Sequence, residues 1–520
     1  MLRPMASVSL VLVAVLLAPR AQAGHLYVDP VLGNDANPGT SPELAFKHIL
    51  KGLQAGGTSN DILHLAAGEY SAASGEHFPL SIGATAIQGD DGSAVTLILG
   101  TGDDILFDAT KPGGAGTAKL ELDGVSLLGG RTGLRVNSGA GIFQVQLQDV
   151  VIDGMTQDGI EAHAIPTGAA GSQVNLGLFH GSVSHCLRGL TFQISSPTLK
   201  SVLALQTSTF EANEVGVNIE SSGNVIASTM MCRFLGNSIV GLRSFANGGI
   251  AELQASSSLV ASNAVGIEAG GLGGESHLGI RACTIAQNGV GVSTDSLPTA
   301  PVSTFLAASL LWDNTDDLAL AGPVTAEFND ISDGEFAGAD GNISADPLFR
   351  DAAAGDYRLS WGSPAVEAGG PMPASDLVGN QRPTDGDFDA VAVSDIGCLE
   401  FVPLDLVTPP LTGGSPVVAL GGQLRLEAWG ESGAAATLFV SPSKPIAQRT
   451  KFGLLFMEFP FVFPLVTLAA GPTTPGVFEA TVPADPALGG MELVFQTLTT
   501  SSVAPKGKAL SNLADVFTDF

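Results

Sequence analysis

The middle of the chain alternates apolar and polar residues in short runs, and the runs recur at a nearly constant interval. A glycine followed by an aliphatic residue appears at Gly133-Leu134, Gly159-Ile160, Gly189-Leu190, Gly216-Val217, Gly241-Leu242, Gly266-Ile267 and Gly291-Val292, at intervals of 26, 30, 27, 25, 25 and 25 residues. Two positions beyond the aliphatic residue the chain is again mostly apolar (Val136, Ala162, Phe192, Ile219, Ala269), and the residues between and beyond are polar. A period of two with one apolar side predicts short strands with one buried face. Three residues ahead of three of these glycines stands an asparagine (Asn213, Asn263, Asn288). Asn237 is displaced by one, Cys186 substitutes once, and Asn314 keeps the beat where Asp317 replaces the glycine.

Such units are too short for a βαβ crossover plus a second strand, and they carry no helical stripe. The spacing predicts an all-β fold, a right-handed parallel β-helix in which equivalent residues stack about 4.8 Å apart on successive coils. Asparagine and glycine are expected to supply left-handed backbone at the corners. The fixed leucine-asparagine consensus of leucine-rich repeats is absent.

The ends read differently. Arg3, the apolar run Val8 to Pro19 and Ala21-Gln22-Ala23 read as a signal peptide, residues 1–23, cut after Ala23. Residues 24–401 form the β-helix, with an N-terminal cap at 26–57 and a closing segment at 340–400. In the cap, Ser41-Pro42-Glu43 reads as a helix start, Phe46, Ile49, Leu50 and Leu53 as its buried face, and Gly56-Gly57 as its stop. Residues 402–414 are a linker rich in proline and glycine. Residues 415–520 carry β runs (Gln423 to Trp429, Ala436 to Val440, Gly453 to Leu468, Val477 to Val482, Met491 to Thr497) that predict an antiparallel β-sandwich. Glu458, Pro460 and Pro464 argue against a membrane span in the apolar run from Phe452 to Ala470.

Two stretches resemble known families. Tyr27-Val28-Asp29-Pro30, Gly33-Asn34-Asp35, Asn37-Pro38-Gly39-Thr40, Asp61 to Tyr70 and Phe78-Pro79-Leu80 resemble the start of the DUF1565 family, exported proteins related to pectate lyase-like right-handed parallel β-helices. Leu311 to Thr315, Gly341 to Phe349, Gly355 to Leu359, Gly379 to Pro383 and Asp395 to Glu400 are similar to the closing segment of bacterial surface β-helix proteins, with Cys398-Leu399 in place of the usual alanine-tyrosine. The resemblance implies an exported β-helix and leaves the activity open, because related folds host lyases, epimerases and proteins of no known activity.

Charge narrows the partners. The formal net charge is −29, and nine acidic against six basic residues beyond position 401 leave most of it on the β-helix. Nucleic acid and anionic membranes are poor partners for such a surface. A polyanionic sugar would be repelled unless a divalent cation bridged it. Four cysteines (Cys186, Cys232, Cys283, Cys398) read as small buried hydrophobes.

The stacking predicts which polar residues share the outer flank. Arg135, Glu161, Thr191, Asn218, Arg243, Glu268 and Ser293 form one ladder, and Asn137, His163, Gln193, Glu220, Phe245, Gly270 and Asp295 the next. A sugar lying across it would meet Glu161 and Glu220 as acid or base, His163 as proton shuttle and Arg243 as carboxylate holder, with Arg135, Asn218 and Glu268 as further contacts. Arg135/Glu161 and Arg243/Glu268 also read as ion pairs between coils. His180, His185 and Arg188 read as turn residues. The galacturonan hydrolases' aspartate pair with Gly-His-Gly is missing, as is the aspartate cluster with arginine of many pectate lyases. Calcium is the one cofactor with support, from acids between residues 327 and 356 and from Asp149, Asp153 and Asp158, with Asp330, Asp333 and Asp340 as metal candidates and a solvated acidic loop as the alternative. The favoured function is a monomeric secreted or cell-surface protein, without membrane contact beyond a peripheral one, that binds polysaccharide or envelope glycan without turnover. A polysaccharide lyase, epimerase or hydrolase, and a structural envelope protein, are the alternatives.

Overall fold

The computed structural model describes residues 24–56, 61–111, 114–166, 171–195, 200–297, 299–386 and 391–402. Further on it describes 406–407, 417–431, 433–441, 448–450, 453–455, 463–471, 474–485, 491–500, 508–511 and 514–519. The expected signal peptide and most of the expected linker lie outside these residues.

The described chain winds into a parallel β-helix with three sheets. Sheet A has twelve strands, from His25–Val28 to Val324–Glu327; sheet B has eleven, from Gly68–Ser71 to Asp330–Ile331; sheet C has ten, from Leu80–Ile82 to Asp316–Ala319. One coil shows the path: Gly141–Gln148 lies in sheet A, Val151–Asp153 in sheet B and Asp158–Ala164 in sheet C. In sheet C, Leu134 pairs with Ile160, Ile160 with Leu190, Leu190 with Val217, Val217 with Leu242, Leu242 with Ile267 and Ile267 with Val292. All seven of these aliphatic residues are 0% exposed. Their apolar surface, removed from water as one continuous column, is the main term holding the coils together. Phe210 and Phe234 extend it from sheet B, stacked at 5.6 Å between ring centroids.

The corners follow the sequence prediction only in part, since glycine supplies left-handed backbone at Gly154 and Gly236 but asparagine and the repeat glycines do not. None of the repeat glycines has a positive φ; the left-handed residues at the corner between sheets B and C are Gly154, His185, Ala212, Gly236, Ser262, Gln287 and Asp313. The glycines are required because a Cβ has no room. One built on Gly216 would lie 2.4 Å from the carbonyl oxygen of Gly241, and one on Gly159 2.6 Å from both Gly189 O and Val183 Cγ1. Nor do the asparagines turn the chain. They are buried, and each links two coils: Asn237 Nδ2 donates to Asn263 Oδ1 at 2.9 Å and Asn263 Nδ2 to Asn288 Oδ1 at 3.0 Å. Cys186 N closes one end of the ladder on Asn213 Oδ1, and Asn314 Nδ2 closes the other on Asp317 Oδ1. Every amide thereby finds a partner in an interior where an orphan would be costly. The four cysteines are free and buried; Cys232 N and Cys283 N each bond a serine hydroxyl of the next coil, Ser258 and Ser309.

The N-terminal cap is split. A 3-10 turn covers Pro42–Leu44, and the α-helix begins only at Ile49 and runs to Ala55. Ser41 makes no capping bond. Phe46 is taken out of the helix because its N–H bonds Tyr27 O at 2.8 Å, placing it beside the first strand. Glu76, not a residue of the same segment, receives the Ile49 N–H at 2.6 Å. Gly52 lets the helix sit over the first coil, since a Cβ there would fall 2.5 Å from Leu63 Cδ1.

The closing segment does not stop at the last coil. It runs back along the outer face of sheet B, where Gly397 N bonds Ala308 O, Cys398 N bonds Thr284 Oγ1 and Tyr357 OH bonds Gln287 Oε1. The face it covers is apolar, with Leu259, Ala261, Ala286 and Leu310 all buried. The corresponding positions on earlier, uncovered coils are polar: Asp153, Ser184 and Glu211. In the C-terminal part, strand Gln423–Ala428 pairs with Gly476–Thr481, and Ala434–Ser441 lies between Phe463–Ala470 and Glu492–Thr500, all antiparallel. Leu424, Leu426, Leu438 and Phe495 from the two sheets share one core. The expected run from Gly453 to Leu468 contains two separate strands, Gly453–Leu455 and Phe463–Ala470.

Candidate functional site

The outer face of sheet C carries both predicted ladders, in the predicted register. Arg135 stands opposite Glu161, Glu161 opposite Thr191, Thr191 opposite Asn218, Asn218 opposite Arg243 and Arg243 opposite Glu268. Asn137, His163, Gln193, Glu220, Phe245 and Gly270 form the parallel row.

On this face each arginine meets a carboxylate of a neighbouring coil. Arg135 Nε donates to Glu161 Oε2 at 2.9 Å, with Asp108 Oδ2 at 3.9 Å on its other side. Arg243 Nε donates to Glu268 Oε2 at 2.6 Å. Arg188 holds Asp158 through two bonds of 2.7 Å each, and Thr191 Oγ1 donates to the same carboxylate at 2.6 Å. That hydrogen-bonded pairing raises the Arg188 pKa above its ordinary value and keeps the guanidinium charged. Arg188 is therefore a strand residue of this face, whereas His180 and His185 are turn residues with φ of 52° each, as the sequence predicts.

The proposed acid and base do not converge. Glu161 and Glu220 lie two coils apart and in different rows, since Glu220 shares its row with Gln193 and His163. Glu220 accepts from Asn218 Nδ2 at 3.1 Å and from Gln193 Nε2 at 3.3 Å. His163 Nε2 lies 3.6 Å from Glu161 Oε1. The result is a run of donors and acceptors mostly engaged with one another, although Asn218 Oδ1 is buried without a hydrogen-bond partner.

Sequence reasoning missed Asp108, the pairing of Asp158 with Arg188 and the part played by Phe245. Asp158 and Arg188 occupy the position just before the repeat glycine, where later units have Val215, Val240, Val265 and Val290; that departure was the available signal. Phe245 lies against Gly270, whose absent Cβ would come 3.3 Å from the ring, and the Arg243 guanidinium is 5.8 Å from the ring centre. A half-exposed aromatic ring on a polar face is a ready stacking surface.

The metal candidates are used otherwise. Asp330 is 0% exposed and accepts from Ala345 N at 3.0 Å, Asp333 accepts from Asp317 N at 2.8 Å, and Asp340 sits exposed in a left-handed turn. Among the described residues no group of three or more His, Cys, Asp or Glu side chains is placed to hold an ion.

The family described as protein of unknown function (DUF1565) matches residues 31–301, just over half of the 520-residue chain. The chain belongs to the DUF1565 family. Its DUF1565 region contains the whole of the polar face from Asp108 to Glu268. Among solved structures it is similar to the crystal structure of pectate lyase Pel9A, at 13% identity and a TM-score of 0.36, covering 72% of this chain and 96% of that one. It is also similar to the full-length tailspike protein 2 from Escherichia coli O157:H7 bacteriophage CAB120, at 11% identity and a TM-score of 0.31, covering 96% of this chain and 69% of that one. No curated protein matches the chain. Identities this low leave the chemistry to the residues themselves.

Proposed function

We propose that this DUF1565 protein is exported and binds a polysaccharide along the outer face of sheet C without cleaving it. The observation that carries the reading is the pairing of the face: Arg135 with Glu161, Arg188 with Asp158, Arg243 with Glu268, and Glu220 with two amides. Groups so engaged hold a surface in one shape and offer hydroxyl groups a regular set of donors and acceptors. Coils about 4.8 Å apart repeat the positions of the face at a fixed interval, along which an extended polymer can lie. Hydrolysis would need two carboxyl groups facing one bond, about 5–5.5 Å or 6.5–9.5 Å apart, and Glu161 and Glu220 stand in different rows on strands two coils apart. Residues 1–23 support export, and no helix among the described residues is long and apolar enough to cross a membrane.

The test is incubation of the mature protein with neutral and uronate glycans, with and without calcium. Retention on a glycan affinity gel with no new ultraviolet absorbance and no new reducing ends is expected. Product formation that disappears in Glu161→Ala or Glu220→Ala would overturn the binding-only reading in favour of an enzyme.

A further inference from the structure

The helix that covers the first coil, Ile49–Ala55, is tied down at its start by one imidazole set between two acceptors. His48 is the residue before the helix, and its Nδ1 lies 2.6 Å from Asp35 Oδ2. Its Nε2 lies 3.1 Å from the carbonyl oxygen of Ser74. Asp35 belongs to the loop after the first strand and Ser74 to the turn after strand Gly68–Ser71, so the ring joins three separate stretches of chain. The turn is shaped to receive it. Gly75 has a φ of +105°, and a Cβ there would lie 2.5 Å from His48 Nε2.

Neither partner can donate. A backbone carbonyl and an ionised carboxylate only accept, so both ring nitrogens must carry hydrogen for both bonds to exist. A neutral imidazole satisfies one side and turns a lone pair toward an oxygen on the other. Asp35 is held in place by two further donors to Oδ1, Lys47 N at 2.9 Å and His48 N at 3.2 Å. The geometry therefore selects the imidazolium.

The charges acting on the ring are Asp35 from the loop and Glu76 from the turn; Lys47 and Lys51 are the neighbouring cations on its own element, and His77 follows Glu76. Burial lowers the His48 pKa, but the bonds to Asp35 and Ser74 and the two carboxylate charges outweigh it and leave the value raised. Glu76 is 2% exposed, takes the Ile49 N–H on Oε1 at 2.6 Å and has Oε2 buried without a partner. Burial raises its pKa and the His48 charge opposes that rise, so losing the imidazolium leaves a buried carboxylate uncompensated. Burial acts to raise Asp35 too, but the His48 bond and the two N–H donors leave it lowered.

We infer that His48 is a proton-dependent latch on the capping helix: protonated, it clamps Ile49–Ala55 over the first coil through Asp35 and Ser74, and deprotonated it lets the helix lift. Lifting uncovers Ile49, Val28 and Leu63, all buried in the closed cap, beside the edge strand of sheet A, His25–Val28. A bared edge of this kind is open to pairing. Because the folded pKa lies above the unfolded value of about 6.5, the clamp is complete below about pH 6.5 and is lost as pH rises through the folded value. Asp35, lowered in the fold, keeps its contribution above about pH 4 and loses it only as pH falls further.

Hydrogen exchange of the mature protein, corrected for the intrinsic rate at each pH, tests the latch from about pH 5.5 to about 8.5, a span that brackets the ordinary imidazole value. Strand Arg188–Ile194 of sheet C serves as the internal reference. Protection over Ile49–Ala55 is expected to fall several-fold relative to that reference as pH rises. His48→Gln keeps one donor and carries no charge, so its protection should no longer change with pH. Asp35→Asn should move the fall to lower pH. In Glu76→Gln, whose Oε1 can still accept the Ile49 N–H, the fall should persist; its disappearance would make Glu76 the titrating group and overturn the latch. Flat protection across the range in the unaltered protein, or an unchanged fall in His48→Gln, would overturn it as well.

Discussion

The guanidinium of Arg382 and the carboxylate of Glu400 lie 3.4 Å apart with 1% and 0% of their side chains exposed. Arg382 Nη2 also donates to Gly397 O at 2.8 Å, and Asp376 Oδ2 accepts from Glu400 N at 3.0 Å. The pair thus ties the closing segment to itself and braces the stretch whose Gly397 N and Cys398 N bond sheet B at Ala308 O and Thr284 Oγ1.

Removing one partner leaves the other charge buried and uncompensated. Arg382→Met is expected to destabilise by about 3–5 kcal/mol, and the double variant Arg382→Met/Glu400→Leu to recover part of that loss. Urea unfolding measures it, and hydrogen exchange at Gly397 and Cys398 should accelerate in the single variant. A loss below about 1 kcal/mol would show that the segment keeps its internal shape without the ion pair.

Asp330 gives the fold a pH dependence. Burial pushes its pKa up to about 6, with the Asp317 and Asp346 charges adding to the rise and the bond from Ala345 opposing it. One of its oxygens, Oδ2, is buried without a partner. A folded-state pKa above the unfolded one near 4 means that folding favours the protonated form. The stabilisation is complete below pH about 4 and is lost as pH rises through about 6. Burial raises Asp317, Asp376, Asp395 and Glu400 in the same direction, with the Asp395 and Glu400 charges opposing each other. Asp330→Asn should therefore raise the melting temperature at pH 7.5, by a stability on the order of 1–3 kcal/mol, and leave it nearly unchanged at pH 4. An equal gain at both pH values would contradict the assignment.

The interior ladder and the glycine column should fail in different ways. Asn263→Ala orphans the Asn237 N–H and Nδ2 together with the carbonyls of Phe234 and Ala261, at a cost of about 2–4 kcal/mol. Gly216→Ala keeps every bond but forces a methyl to 2.4 Å from Gly241 O, and should cost about 1–3 kcal/mol through overpacking. Calorimetry of the two variants, with Gly102→Ala, whose Cβ meets nothing within 4 Å but whose φ is +55°, separates crowding from backbone strain.

Those same residues show how far the sequence could be read. The 25-residue beat gave the register residue by residue, because side chains stacked at a strand's spacing must repeat at the coil's length. It singled out Gly216 and Asn237 but assigned both to the corners, where neither turns the chain. A missing Cβ signals either a left-handed φ or a crowded neighbour, and only the folded coil brings up the Gly241 carbonyl that decides it. Phe46 fits a helical stripe equally well in or out of the helix, and its bond to Tyr27 comes from a strand 19 residues earlier. On the candidate face, the Arg135–Glu161 and Arg243–Glu268 pairs were legible as neighbours in a column. The Asp158–Arg188 pair was not, because it sits beside the glycine, where valine is the rule.

Trp429 joins the two parts of the chain. Arg350 and Arg358 of the closing segment lie 4.6 and 5.5 Å from its ring centre, contacts worth about 0.5–2 kcal/mol each. Trp429→Ala should split thermal unfolding into two transitions. A single unchanged transition would mean that other contacts couple the β-helix to the C-terminal sheets.

Phe245 offers the sharpest separation of binding from stability on the sheet C face. Its ring rests on Gly270 beside the Arg243–Glu268 pair, partly open to solvent, so its removal should cost the fold little. A sugar face stacked on it would lose about 1 kcal/mol in Phe245→Ala, roughly fivefold in Kd. Arg243→Ala, which breaks a half-exposed ion pair worth less than about 1 kcal/mol, should weaken glycan retention while the melting temperature moves only slightly. Affinity electrophoresis and thermal unfolding on the same samples check both. Retention unchanged in both variants would move any glycan site off this face, because no sugar could cross the Phe245–Glu268 stretch without touching one of them.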